Sequence, residues 1–278
     1  IVTSPTNELS SKKGDLVGYD YFRNKRSTAY YKDFIAQFSM GSIIGKDLTV
    51  NLWMKGFDDR SIFTVDAPYS RAIREGTGPE TLFHKPLPTL VVRQGGEAET
   101  RPFASIIDVF NNGDQIKVSD VEYFTPQNAD VNFLGIKVSS TNDRIDYIYN
   151  GRSADKVHRF KSGEFSGSYA IASYSGKKLA SLFLGFGKKI ESDLWSIASL
   201  KAEGGVLVKV NENELTIDAD KPFELTVPSE FLKGGITLEV MENFDPNKKY
   251  DGKRVNMNGS QLIVFKLPKM TNSNFKIN

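Results

Sequence analysis

The chain has 278 residues, 39% hydrophobic and 25% charged, with 19 Phe and 11 Tyr, a composition that excludes a disordered polymer and suits one large β-sandwich or two packed β-units. Its 36 Lys and Arg against 34 Asp and Glu give a formal net charge of +2 with both signs scattered along the chain, so the concentrated basic face of a nucleic-acid binder is absent. Cysteine does not occur, which excludes disulfides, thiolate metal sites and cysteine nucleophiles together, and no apolar run reaches the length of a membrane-spanning helix.

Residues 1–15 are rich in Ser, Thr, Asn and Lys and are expected to fray. The chain starts at Ile1 and not at Met, which reads as the mature product of a removed leader or as a fragment of something longer. Two-residue alternation begins at Phe34, where Phe34, Ala36, Phe38 and Met40 share one side of a strand, and it recurs with Leu48, Val50, Leu52 and Met54. The stretch Tyr69 to Glu75, after Pro68, predicts one or two helical turns.

Further strands are predicted at 61–66, 89–94, 102–109, 115–123, 131–138, 144–149, 164–174, 178–186, 193–200, 205–211, 214–219, 223–227, 236–241 and 261–267. Turn chemistry separates them, as at Asn112-Gly113, Asn142-Asp143, Asn150-Gly151, Ser175-Gly176 and Asn258-Gly259. Ser229 to Lys233, following Pro228, predicts a second short helix, and residues 270–278 are expected to fray like the start of the chain. The fold class is therefore all-β: an antiparallel β-sandwich, as two packed β-units with very little helix. The polar stretch Arg152 to Ser162 reads as the joint, dividing the chain into a β-unit at 1–151 and a second, smaller one at 152–278.

Chemistry is sparse. The two histidines, His84 and His158, stand in unrelated contexts, and no metal site is assigned to them. His84, beside the proline-rich turn Lys85-Pro86, reads as an exposed loop residue or as a ligand contact. No Gly-x-Ser-x-Gly elbow is present, and Gly185-Phe186-Gly187-Lys188-Lys189 has glycines and lysines without a following helix to cradle a phosphate. Asp245 to Gly252 superficially suggests a calcium loop, but Lys248 and Lys249 inside it would repel the ion, so it reads as a surface loop.

The densest polar constellation is Arg93-Gln94-Gly95-Gly96-Glu97-Ala98-Glu99-Thr100-Arg101 between two apolar strands. Two arginines and two glutamates at a glycine turn suit either an ion-pair network tying the strands or hydrogen bonds to sugar hydroxyls and a uronate carboxylate. Trp53 and Trp195 are each suited to stack on a sugar ring or to sit in a core. The candidate glycan contacts are Trp53, His84, Arg93, Glu97 and Arg101; no catalytic residue, metal or cofactor is assigned.

Asn51-Leu52-Trp53-Met54-Lys55-Gly56, Phe63-Thr64-Val65-Asp66-Ala67-Pro68 and above all Leu87 through Phe103 resemble the C-terminal β-rich region of heparinase II/III-like proteins of Bacteroidetes. Val121-Glu122-Tyr123-Phe124 and Asp146-Tyr147-Ile148-Tyr149-Asn150 continue the likeness, which covers residues 45–150. The resemblance implies polysaccharide lyases that join a helical toroid to a β-sandwich and cleave uronate-containing glycans by β-elimination. It implies for this chain an accessory, structural β-domain of a secreted lyase-like protein contributing to glycan binding. Its partners would then be a polysaccharide and the N-terminal helical catalytic domain of a longer parent chain, in the secreted, periplasmic or cell-surface space of a Gram-negative bacterium. No long amphipathic helix corresponds to the toroid, so catalysis is not expected of the chain alone. A free-standing carbohydrate-binding or surface-adhesion module is the alternative.

Overall fold

The computed structural model describes residues 7–8, 22–29, 32–40, 48–67, 87–96, 102–111, 113–128, 130–200, 203–212, 214–233, 235–241 and 249–276. Among them the chain is built from antiparallel strands and one short helical turn, the all-β sandwich that period-two alternation predicts. It divides into two compact units, Ile1–Gln115 and Ile116–Asn278. The stretch read from sequence as the joint, 152–162, lies inside the second of these.

Among its described residues the first unit has seven strands: β1 (Asn7–Glu8), β2 (Arg23–Ala29), β3 (Phe34–Met40), β4 (Leu48–Met54), β5 (Arg60–Ala67), β6 (Leu87–Gln94) and β7 (Ser105–Asn111). They form two sheets, ordered β1-β2-β5-β6 and β3-β4-β7. Phe34 and Met54 from one sheet and Ile62 from the other share a buried cluster, with Leu52, Leu90 and Val92 packed against it. Phe34, Ala36, Leu52 and Met54 thus turn to the facing sheet as the alternation predicts, but on β4 the intervening polar residues Thr49 and Asn51 are buried as well, while Leu48 and Val50 are only half-buried.

The second unit contains β8 (Val118–Phe124), β9 (Phe133–Ser140), β10 (Arg144–Gly151), β11 (His158–Phe160), β12 (Gly163–Ser175), β13 (Lys178–Ser192), β14 (Trp195–Ser199), β15 (Gly204–Asn211), β16 (Glu214–Ala219) and β17 (Phe223–Pro228). A 3-10 turn at Ser229–Leu232 follows, then β18 (Thr237–Val240), β19 (Lys249–Asp251), β20 (Lys253–Met257), β21 (Ser260–Leu267) and β22 (Met270–Lys276). The short helix expected at Ser229 to Lys233 is that turn, closed by Lys233 in the left-handed region.

The long strand β13 organises this unit because it changes partner along its length. Its first part pairs with β15, from Ser181–Lys209 to Gly187–Gly204; its last residues, Lys189 to Ser192, pair with β14. From that fork one wing continues β15-β16-β22-β18-β19 and the other β14-β17-β21-β20. Register shifts at Ser166/Gly167 in the β12–β13 ladder and between Leu184 and Gly187 in the β13–β15 ladder bend the strands where the wings part. Glycine is needed at the bend: a Cβ on Gly167 would lie 2.9 Å from the Gly187 Cα.

The core fills the space between the wings. Val208, Leu215, Ile217 and Phe275 of one wing and Ile197, Phe223, Leu225, Ile263 and Phe265 of the other are all fully buried and belong to one cluster. Each such side chain contributes roughly 1.5–3 kcal/mol relative to exposure.

Two sequence expectations are corrected here. Residues 270–276 do not fray; they form β22, hydrogen-bonded between β16 and β18. The ladder slips between Ile217 and Ala219, with Asn272 at φ 42, so Met270 and Phe275 are both buried although an odd number of positions separates them. That extra residue erases the alternation by which the strand would have been read. Within the loop expected at Asp245 to Gly252, Lys249–Asp251 is strand β19, paired with β18. The helix predicted at Tyr69 to Glu75 lies outside the described residues.

Candidate functional site

Of the five residues singled out from sequence, the structure describes two. Trp53 sits on β4, half-buried between the β3 and β7 positions Ile35 and Ile106, its indole Nε1 buried without an acceptor. Arg93 is exposed on β6, opposite Ser61 and in the other sheet. His84, Glu97 and Arg101 lie outside the described residues.

A pronounced concavity occurs instead on the outward face of the second wing of the second unit, with a volume of about 870 Å³. Register assembles it. Lys189, Ala198, Glu224 and Lys266 form one cross-strand row, and Glu191, Ser196, Thr226, Val264 and Lys253 form the next. The alternate residues of these strands, Ile190, Ile197, Leu225, Ile263 and Phe265, point into the core, which leaves the polar set outward. Five strands at about 4.8 Å spacing make the face roughly 19 Å wide.

The electrostatics of the groove nearly cancel: Lys189, Lys253 and Lys266 line it together with Glu191, Asp193, Glu224 and Asp251. Lys189 is held at 2.9 Å from Glu164 and 2.8 Å from Glu191. Burial works against its ammonium, but the two carboxylates outweigh burial and hold its pKa above the ordinary lysine value. At the hairpin end, Asp193 adopts φ 54, donates its N–H to the Ser162 carbonyl at 2.6 Å and accepts the Tyr174 hydroxyl at 2.8 Å. The Tyr174 hydroxyl also lies 2.7 Å from Ser192 Oγ. Burial pushes the phenols of Tyr174 and Tyr149 well above the usual tyrosine range, so neither is poised as a base. The groove therefore offers fixed donors and acceptors over an apolar floor of Leu262, Val255 and Val264.

A second titratable cluster is internal. His158 on β11 is 1% exposed and wedged between Phe133 and Phe165, at centroid distances of 4.7 and 6.0 Å. Its Nδ1 lies 3.5 Å from Asp130 Oδ2, too far for a hydrogen bond, and neither ring nitrogen has a partner. Asp130 is anchored by Lys156 Nζ at 2.8 Å and the Asn132 N–H at 3.1 Å. Burial lowers the His158 pKa, Asp130 opposing and Lys156 adding to the effect. Burial tends to raise the Asp130 carboxyl, but Lys156, the Asn132 N–H and His158 outweigh it and leave it below the ordinary value.

The two groups make stability depend on pH in separate windows. The unfolded chain binds a proton at His158 near 6.5 and the folded chain only below that. Stability is therefore complete above pH 6.5 and falls as pH drops through the window beneath it, by up to about 1.4 kcal/mol per pH unit. Asp130 adds a further loss only below 3.8, its unfolded value. Urea midpoints from pH 7.5 to 4.5 are expected to decline for the natural chain and to flatten for His158→Phe; an equal slope in both would show that His158 is not the titrating group.

Sequence reasoning missed the groove because its members are scattered from Lys189 to Lys266 and only the pairing register brings them together. The outward alternation of Glu224 and Thr226, and of Val264 and Lys266, was one available signal, and Trp195, read from sequence as suited to a sugar ring or a core, was another: it lines the groove but is 7% exposed.

Comparison with known proteins bears on the second unit and beyond it. Residues 118–210 match the family described as the endo-acting ulvan lyase C-terminal domain. The chain is also 29% identical over 209 residues to an endo-acting ulvan lyase of Formosa agariphila, an alignment covering 71% of this chain and 24% of that protein. It thus spans about a quarter of the length of the curated relative it matches. Both findings support a likeness to a polysaccharide-lyase C-terminal domain, the coarser part of what the sequence resemblance implies, and they do not single out the heparinase II/III group.

Proposed function

We propose that this chain is the accessory β-domain of a longer polysaccharide lyase and that it holds polysaccharide in the groove on the outward face of β13, β14, β17, β21 and β20. The carrying observation is the register-built surface itself: charged and hydroxyl side chains of both hydrogen-bonding senses alternate over an apolar floor. Because three ammonium groups face four carboxylates there, recognition rests on directional hydrogen bonds to hydroxyls more than on net charge. In this reading the reaction belongs to a catalytic domain elsewhere in the parent chain, and the resemblance of residues 45–150 to heparinase II/III-like proteins reflects a shared accessory role. A polymer too large to enter a cell would place the protein outside the cytoplasm, secreted or at the surface.

Isothermal titration of the chain with ulvan, heparin and a neutral glucan tests the proposal. The double variant Glu224→Ala/Lys266→Ala, which removes a facing pair at the centre of the groove while leaving the core intact, is expected to weaken binding at least about tenfold, as for two lost ligand hydrogen bonds. Unchanged affinity with unchanged circular dichroism would overturn the groove assignment, and preference among the three polymers reports the glycan class.

A further inference from the structure

The outward face of β13 does not end at the groove. Three residues before Lys189, about 10 Å along the strand, stands Phe186, 73% exposed and in the left-handed region at φ 49. An aromatic residue is disfavoured there, and the fold alone would be served by glycine or asparagine. The pairing with β15 runs from Leu184–Val206 directly to Gly187–Gly204, so Gly185 and Phe186 share the bulge between them. A Cβ on Gly187 would meet the core side chain of Leu184 at 2.3 Å, whereas one on Gly185 would meet the ring of Phe183 at 3.0 Å. Phe186, between them, is carried away from the core into solvent.

Its surroundings are not those of a protein-binding patch. Lys188, two residues on, is ion-paired with Asp155. On the neighbouring strand Tyr169, opposite Gly185 and 36% exposed, sets its ring edge-on to Phe183 at 6.1 Å. A lone protruding ring with polar neighbours suits a ligand that offers flat apolar faces one at a time and hydroxyls between them, which is the surface of a pyranose chain.

Building on the groove reading, we infer that Phe186 is a stacking platform for a sugar ring of a polysaccharide that leaves the groove along β13. The domain then grips an internal stretch of an extended chain, with the groove holding one part and Phe186 a ring beyond it. The distance from Phe186 to Lys189, where the groove begins, about 10 Å at 3.3 Å per residue, sets the minimum length that engages both.

The test titrates the chain with ulvan oligosaccharides fractionated by length. Phe186→Ala and Phe186→Gly are expected to lower affinity for long fractions about three- to tenfold, the range of one lost aromatic contact, and to leave the shortest binding fraction unaffected. Phe186→Gly is expected to melt at or above the natural chain, because glycine suits the left-handed bulge. Equal affinity of the variants for long fractions, an equal loss at all lengths, or a marked fall in Tm for Phe186→Gly would each overturn the platform. If the groove pair variant loses binding while Phe186 variants do not, the platform alone fails; if the natural chain binds no fraction, the groove reading fails with it.

Discussion

Replacing Phe165 by alanine is expected to destabilise the second unit by about 3–5 kcal/mol, the range for a large aromatic removed from a close-packed core. Phe165 is fully buried on β12 and pairs with Ile190 across β13 and with His158 across β11. Its ring lies 6.3 Å from Phe133 and 5.7 Å from Tyr149, and parallel to His158 at an interplanar angle of 22°. It also occupies space left by two glycines, since a Cβ on Gly167 would fall 2.9 Å from the ring and one on Gly151 3.3 Å. The neighbours are held by ladder hydrogen bonds and cannot collapse into the void, so the cavity term adds to the lost burial. The chain has 2 Trp, one in each unit, so a Trp53→Phe background leaves Trp195 to report the second unit alone. Urea unfolding followed by that fluorescence is expected to show a lower midpoint at unchanged slope. A loss under about 1.5 kcal/mol would mean that the aromatic cluster repacks, and Phe165→Leu is expected to recover roughly half of the deficit.

How much of this was legible beforehand follows from what each element hides. Glu214–Ala219 buries alternate residues, and its bounds follow from the pattern, whereas Leu48–Met54 also buries the polar Thr49 and Asn51 between its apolar positions. β2, with the sequence RNKRSTA, and β20, with KRVNM, carry few apolar residues and escaped notice. They exist because a neighbouring strand offers its backbone groups, a reason that lies in the partner and not in the strand. The fork at β13 was invisible for a related reason: its 15 residues contain both partners' ladders, and only the bulges at Gly167 and Gly187 show where one stops. The same holds for the site. A turn such as Arg93 to Arg101 draws attention because its charges are contiguous, whereas the groove spreads its charges over five strands and becomes a site only through pairing.

Arg60 is the sharpest case of a residue that no pattern announces, and Arg60→Ala is expected to cost the first unit about 3 kcal/mol. It opens β5 after the turn at Phe57 to Arg60 and is 1% exposed. Its guanidinium donates Nε–H to Gln94 Oε1 at 2.9 Å, one terminal nitrogen to the Lys55 carbonyl and the other to the Pro102 carbonyl at 3.4 Å. The rings of Phe57 and Phe103 each lie 4.8 Å from its central carbon. Gln94 is fixed in turn by donating to the Asp58 carbonyl at 3.0 Å. Thus one planar cation ties the β5 start, the β6 end and the segment entering β7. Truncation leaves those acceptors without this donor, at about 1–3 kcal/mol for each that water does not reach, and removes two cation–π contacts; the recovered desolvation of the charge offsets part of the sum. Arg60→Lys keeps the charge but not the fork, so it is expected to restore less than half of the loss. Unfolding read from Trp53 in a Trp195→Phe background measures both variants. Near-equality of Arg60→Lys with the natural chain would show that charge over the aromatic faces, and not the three-way hydrogen bonding, holds this corner together.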